Sequence, residues 1–292
     1  MNPPVKTDAE ENGEAMPLLW EGMSVPTRDM DELHRILIEI MCDIRDVLDD
    51  ENIPYYLVGG SAIGCMRDGR QVPWDDDIDV LVDANIFDDM ELTLKRRLPD
   101  KYTVELANTV ENHRSYCRVV REDTTLIRSP RIKCALGITV EIFPLVEIPD
   151  GGFARKLMLG AVRMYNLMNV GGDYVPRFLR RPLLWTKLTV RMIIDKLSTS
   201  CDCSTAAPLN PLFFDEIVSD EVFRFPSKML LDGEEFSFPT DNDRYLREVY
   251  GDDYMTPPEE GSRRPAFLLL DTEHGWRENM DRAREIFSEI RS

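Results

Sequence analysis

The sequence predicts a mixed α/β (α+β) fold, one sheet with flanking helices continued by a mainly helical C-terminal part. Three observations carry this. Apolar residues recur at spacings of three and four through Met30, Leu33, Leu37, Ile40, Ile44 and Val47, the period of an amphipathic helix. Between residues 55 and 143 short apolar runs alternate with helical stretches, the pattern of a sheet covered by helices. Beyond Gly151 the period turns helical again, over residues 153–170 and 183–197.

Taken in order, residues 1–26 are polar and acidic without apolar period, a composition that predicts a disordered tail. Asp29 is placed to cap the first helix. After the break at residues 52–54, Tyr55-Tyr56-Leu57-Val58 is a short strand that runs into Gly59-Gly60-Ser61 and a short helix over residues 61–66. The Asp68-Gly69 turn leads to a second strand over residues 77–82, then a helix over residues 85–97. Residues 102–107, 115–120 and 138–143 complete the predicted strands. Residues 198–208 are predicted as a linker loop, and a last helix is expected near residues 276–290. The expected organisation is a tail (1–26), a catalytic core (27–150) and a helical region that completes the domain (151–292).

The chain has 292 residues, 43% hydrophobic, enough for a sizeable core. Its formal charge of −19 argues against nucleic acid as a partner, because phosphate binding draws on Lys and Arg. The six cysteines show neither a CxxC pair nor a neighbouring histidine, which argues against a structural zinc site and a disulfide framework. The N-terminus lacks the basic flank and apolar run of a signal peptide, and residues 183–197 are too short and too charged to span a bilayer of roughly 30 Å. The expectation is a cytoplasmic protein, soluble or peripheral. Residues 153–197 hold nine Lys or Arg against two acids, a local charge of 9 − 2 = +7. Those helices either attract an anionic acceptor or membrane surface, or carry solvated cations that balance nearby acids.

Chemistry concentrates in Trp74-Asp75-Asp76-Asp77-Ile78-Asp79-Val80. In a strand, alternate side chains share a face, so Asp77 and Asp79 converge while Ile78 and Val80 enter the core. Close carboxylates repel one another, and a divalent cation relieves the repulsion; hard oxygen ligands favour Mg²⁺ or Mn²⁺. A solvated surface turn is the plainer explanation of an isolated acid-x-acid pair. An EF-hand is excluded, since its glycine and glutamate positions fall on Val80 and Ile86. Gly59-Gly60-Ser61 ends a strand and opens a helix, where glycine lets a backbone approach phosphate and unpaired N–H groups face it. It is neither a Walker loop nor a dinucleotide fingerprint, and a serine-hydrolase elbow would need glycine at Ile63. In Thr139-Val140-Glu141-Ile142-Phe143, the acid stands opposite the apolar pair and is costly to bury unless paired or metal-bound.

Together these blocks resemble the nucleotidyltransferase superfamily core, and more narrowly the LicD family of phosphotransferases, to which fukutin-related proteins belong. The matching residues are Val58-Gly59-Gly60-Ser61, Arg67, Gly69, the stretch from Val72 to Val80, Val140-Glu141-Ile142-Phe143-Pro144, and a C-terminal block with Phe238-Pro239, Tyr245-Leu246 and Tyr250-Gly251-Asp252-Asp253-Tyr254. Two departures stand out. The family often has aspartate at the position of Glu141, and a histidine common after the double proline is replaced by Glu259-Glu260.

The resemblance implies transfer of a substituted phosphate (phosphocholine, a polyol phosphate or a sugar phosphate) from a nucleotide diphosphate donor such as CDP-choline to a hydroxyl of a glycan or related acceptor. It implies Asp77, Asp79 and Glu141 as metal-binding and catalytic acids with Mg²⁺ or Mn²⁺. Gly59, Gly60, Ser61, Arg67, Trp74, Asp76, Tyr250 and Asp252 are the implied substrate-binding set. Two other functions compete: a true nucleotidyltransferase that releases pyrophosphate, and a catalytically silent glycan- or partner-binding protein.

Overall fold

The computed structural model describes residues 27–127, 137–172, 176–209, 216–263, 265, 267 and 269–281. The predicted tail (1–26) lies outside them, as does the part of the predicted last helix from residue 282 onward; residues 276–279 form a turn.

Helix α1 (Thr27–Asp50) buries its apolar stripe completely at Leu33, Leu37, Ile40 and Ile44. It lies against a mixed sheet formed by β1 (Tyr56–Val58), β2 (Ile78–Asp83), β3 (Tyr102–Glu105), β4 (Cys117–Arg121) and β6 (Thr139–Pro149), in the order β1-β2-β6-β4-β3. The β2–β6 pair is parallel and the others are antiparallel, the mixed α/β sheet expected from the alternating pattern. Helices α2 (Gly59–Asp68) and α3 (Phe87–Arg97) provide the connections into and out of β2. A short β5 (Thr125–Ile127) pairs instead with β11 (Leu269–Asp271).

After β6 the chain forms a helical hairpin, α4 (Gly152–Gly172) and α5 (Arg180–Ser200), as the second apolar stretch predicts. Its inner faces pack Met158, Tyr165, Val190 and Ile194 onto Val146 and Ile148 of β6. Lys187 and Arg191 are buried, so two of the nine cations in this region do not face solvent. Lys187 donates to the His113 carbonyl, and Arg191 pairs with Asp195 at 2.6 Å. Burial and the neighbouring Arg191 draw the Lys187 ammonium down to about 7.

The segment predicted as a linker instead supplies β7 (Cys203–Pro208), antiparallel to the second half of β6. That half of β6 extends beyond β2, and its backbone N–H and C=O groups need partners. The small side chains of Ala206 and Ala207, which make a weak strand signal, are buried against the core. After β8 (Val218–Ser219), β9 (Ser227–Leu231) and β10 (Glu234–Phe238) form a hairpin. Its two-residue turn, Asp232-Gly233, has both φ angles positive, as a tight hairpin of right-handed twist requires. The turn grips α2: the Asp232 amide donates to Gly69 O at 2.9 Å, and the Gln71 amide donates to Asp232 Oδ2 at 2.9 Å. The last long element is α6 (Asn242–Tyr250), which packs on α2.

Candidate active site

The site assembles where β1 turns into α2. Gly59 adopts φ +60°, which lets the chain leave β1 and enter the helix at once. A Cβ built there would stand 3.3 Å from Asp79 Oδ2 and 3.9 Å from the Tyr250 hydroxyl, so Gly59, Asp79 and Tyr250 meet at one point. Val58 at the N-cap gives no side-chain hydrogen bond, and the first-turn N–H groups of α2 are left to other acceptors. Ser61 is buried, and its Oγ has no hydrogen-bond partner among the described residues.

The acids fall into two groups. Asp75, Asp76 and Asp77 lie in the loop before β2, and one carboxylate oxygen of each comes within 4.8 Å of the others. Gly60 makes room for this cluster, because a Cβ on it would collide with Asp75 Oδ2 at 1.7 Å. Asp79 and Glu141 form the second group, register partners on the parallel strands β2 and β6. Strand β2 begins at Ile78, one residue later than predicted. The two-residue alternation still holds: Asp77 and Asp79 are half-buried while Asp76, Ile78 and Val80 are buried.

The row continues across the sheet. Glu141 is in register with Arg118 on β4, and Arg118 with Glu105 on β3. Register partners share a face, so Asp79, Glu141, Arg118 and Glu105 line one side of the sheet in sequence. Arg118 is 5% exposed and donates from Nη2 to Glu105.

A narrow cavity of about 20 Å³ opens beside Asp79, lined also by Gly59, Phe143, Glu216, Tyr245 and Tyr250. Burial pushes the Glu216 carboxyl up to about 7. Burial likewise pushes the phenols of Tyr245 and Tyr250 well above their ordinary range, and charge on Glu216 and Asp79 adds to this. Both phenols therefore keep their protons at neutral pH and can donate to a ligand.

Arg67 and Trp74, both implied as substrate-binding residues, lie against each other. The Arg67 guanidinium lies 5.6 Å from the Trp74 ring centroid, and its Nε pairs with Asp68 at 2.9 Å. Arg263 lies 5.3 Å from the same ring. Trp74 thus holds two cations next to the acidic loop. Asp252 is not brought to the cavity: its side chain is 91% exposed and paired with Arg247 at 3.0 Å.

Residues 52–136 match the family model described as LicD/FKTN/FKRP, nucleotidyltransferase domain. This segment of the chain is LicD-like. The LicD match spans Gly59 to Asp79 and includes Arg118, while Glu141 and α6 lie beyond it. No curated protein matches the chain. The LicD match supports a phosphotransferase-like role. Among the described residues, no helix is long and apolar enough to cross a membrane.

Three residues of this LicD site were not assigned a role from sequence. Asp75 stood in the acidic motif without one. Arg118 had a usable signal, since an arginine between Cys117 and Val119 in a strand is costly to bury without an acid beside it. Glu216 had none, because its neighbours show no period and only the tertiary fold brings it to Asp79.

Proposed function

We propose that the chain transfers a substituted phosphate from a nucleotide diphosphate-linked donor to a hydroxyl of a glycan or related acceptor. The observation that carries this reading is the convergence of the α2 N-terminus, Asp79 and Tyr250 within about one side chain's reach of the Asp75–Asp76–Asp77 cluster. Amides that favour anions thus lie beside carboxylates that favour cations, the pairing that a metal–diphosphate needs.

The donor set is all hard oxygen and fits Mg²⁺ or Mn²⁺, with Asp75, Asp76 and Asp77 as the holding residues and Asp79 and Glu141 flanking. When bound, such a cation supplies positive charge against the donor phosphates. The first-turn amides of α2 bind phosphate oxygens, and Gly59 and Gly60 keep side chains out of their way. Tyr250 donates its hydroxyl hydrogen to an oxygen in the cavity. Glu141 accepts the proton of the attacking hydroxyl, with the Arg118 charge across the strand pair to hold it in place. The Trp74–Arg67–Arg263 group offers an aromatic face and cations to the nucleotide end of the donor.

The test is a screen of CDP-, UDP- and GDP-linked donors with Mg²⁺ or Mn²⁺, scored by nucleotide release. Release of a nucleoside monophosphate is expected, and Asp77→Asn or Asp79→Asn lowers it by about a hundredfold or more with the fold intact. Pyrophosphate from a nucleoside triphosphate would instead assign a nucleotidyltransferase, and full activity in both variants would remove the acids from the mechanism.

A further inference from the structure

Among the described residues, fourteen large hydrophobic side chains lie exposed, and ten of these fall between Phe153 and Ile193. They are not scattered there. On α4 the exposed positions include Phe153, Leu157, Met164 and Leu167, spaced by whole helical turns on the face turned away from the sheet. On α5, Trp185, Met192 and Ile193 repeat the pattern, and Phe178 is exposed in the turn between the helices. Phe153, Phe178 and Trp185 are 80%, 78% and 75% exposed, values that a water-facing helix does not favour for aromatic residues.

Charge decides what this face suits. Lys156, Arg163, Arg181 and Lys196 are exposed and interleave with the apolar stripes, and the one described acid in residues 153–197, Asp195, is paired with Arg191. The whole chain carries −19, so an anionic surface repels most of the molecule and attracts this side. A second copy docking symmetrically would set basic face against basic face. The core of a protein–protein interface is depleted in lysine, whereas aromatic residues among Lys and Arg on a helix match the lipid headgroup boundary.

We infer that the outer face of the α4–α5 hairpin lies in the plane of an anionic lipid bilayer. Phe153, Phe178 and Trp185 enter the headgroup boundary, and the four exposed cations face the lipid charges. Neither helix is apolar enough to cross, so the hairpin rests on one leaflet. The inference does not rest on the phosphotransferase reading.

Co-sedimentation of the full chain with vesicles tests it, using phosphatidylcholine alone and phosphatidylcholine mixed with phosphatidylserine. The chain is expected to pellet with the mixed vesicles, less so at high salt, and to stay in the supernatant with the neutral ones. Arg163→Glu with Arg181→Glu should weaken binding about tenfold or more. Trp185→Ser with Met192→Ser should do the same, with circular dichroism melting unchanged because all four side chains are exposed. Recovery in the supernatant with both vesicle types overturns the inference, as do equal pelleting with neutral vesicles and unaltered binding by both variants. A dimer that the Trp185→Ser, Met192→Ser variant converts to monomer, without vesicle binding, assigns the face to self-association and also overturns it.

Discussion

Gly60 and Asp75 compete for one volume: a Cβ at position 60 would stand 1.7 Å from Asp75 Oδ2. The atom it meets is the end of a short side chain, so an alanine there displaces the carboxylate and leaves the backbone in place. Gly60→Ala is expected to weaken Mn²⁺ binding about tenfold or more, measured by water-proton relaxation, with a stability change within about 1 kcal/mol. In an Asp75→Ala background the same substitution should add little, because the two changes act on one contact. Additive losses would remove the contact as the cause.

Gly59 differs because its backbone is itself unusual. At φ +60°, alanine costs about 1–2 kcal/mol in strain, and its Cβ would also lie 3.3 Å from Asp79 Oδ2. Gly69 at φ +65° has nothing within 4 Å of a built Cβ, so Gly69→Ala isolates the strain alone. Both variants should lower the urea midpoint by similar amounts, and only Gly59→Ala should weaken donor turnover. Equal turnover in the two would show that crowding at Asp79 is without consequence.

What was legible in the sequence follows from what local pattern encodes. The period of α1, the alternation around Asp79 and the entry through Gly59-Gly60 are local signals, and each appears where expected. Strand β7 was not legible, because its need arises from the unpaired half of β6, distant in sequence. The β9–β10 hairpin carried a two-residue Asp232-Gly233 signal, obscured by the Pro- and Asp-rich stretches around it. At the site, the pairing of Asp79 with Glu141 and Arg118 is a matter of register, which no single strand states.

Glu91 ties stability to pH. It is 7% exposed, accepts a hydrogen bond from the Ala107 amide at 2.8 Å, and burial pushes its carboxyl up to about 7. A raised carboxyl binds its proton more tightly in the folded chain, so its contribution is complete below the ordinary carboxylate range and is lost as pH rises through about 7. The full shift corresponds to roughly 3 kcal/mol, which partial solvation reduces to about 2 kcal/mol. Glu91→Gln keeps an acceptor for Ala107 and carries no charge. It should be more stable than the parent at pH 8 and no more stable at pH 4, by urea unfolding. A constant difference between the two pH values would exclude the titration of Glu91 as the cause.

Arg118 separates a structural from a functional role for the charged row. It is buried, bonded to Glu105 and in register with Glu141, so removing its charge strands Glu105 and takes a cation from the strand position beside Glu141. Arg118→Met is expected to cost about 3 kcal/mol, and Arg118→Lys less, since a lysine keeps the charge and loses the planar fork. Adding Glu105→Met removes one stranded acid and fills the space with apolar atoms, which should restore at least about half of the lost stability. The double variant still lacks the charge in register with Glu141. On the proposed mechanism, turnover should therefore stay depressed while the urea midpoint recovers, because the acid beside Asp79 has lost a charge from the neighbouring strand. Recovery of both together would confine Arg118 to a structural bond with Glu105.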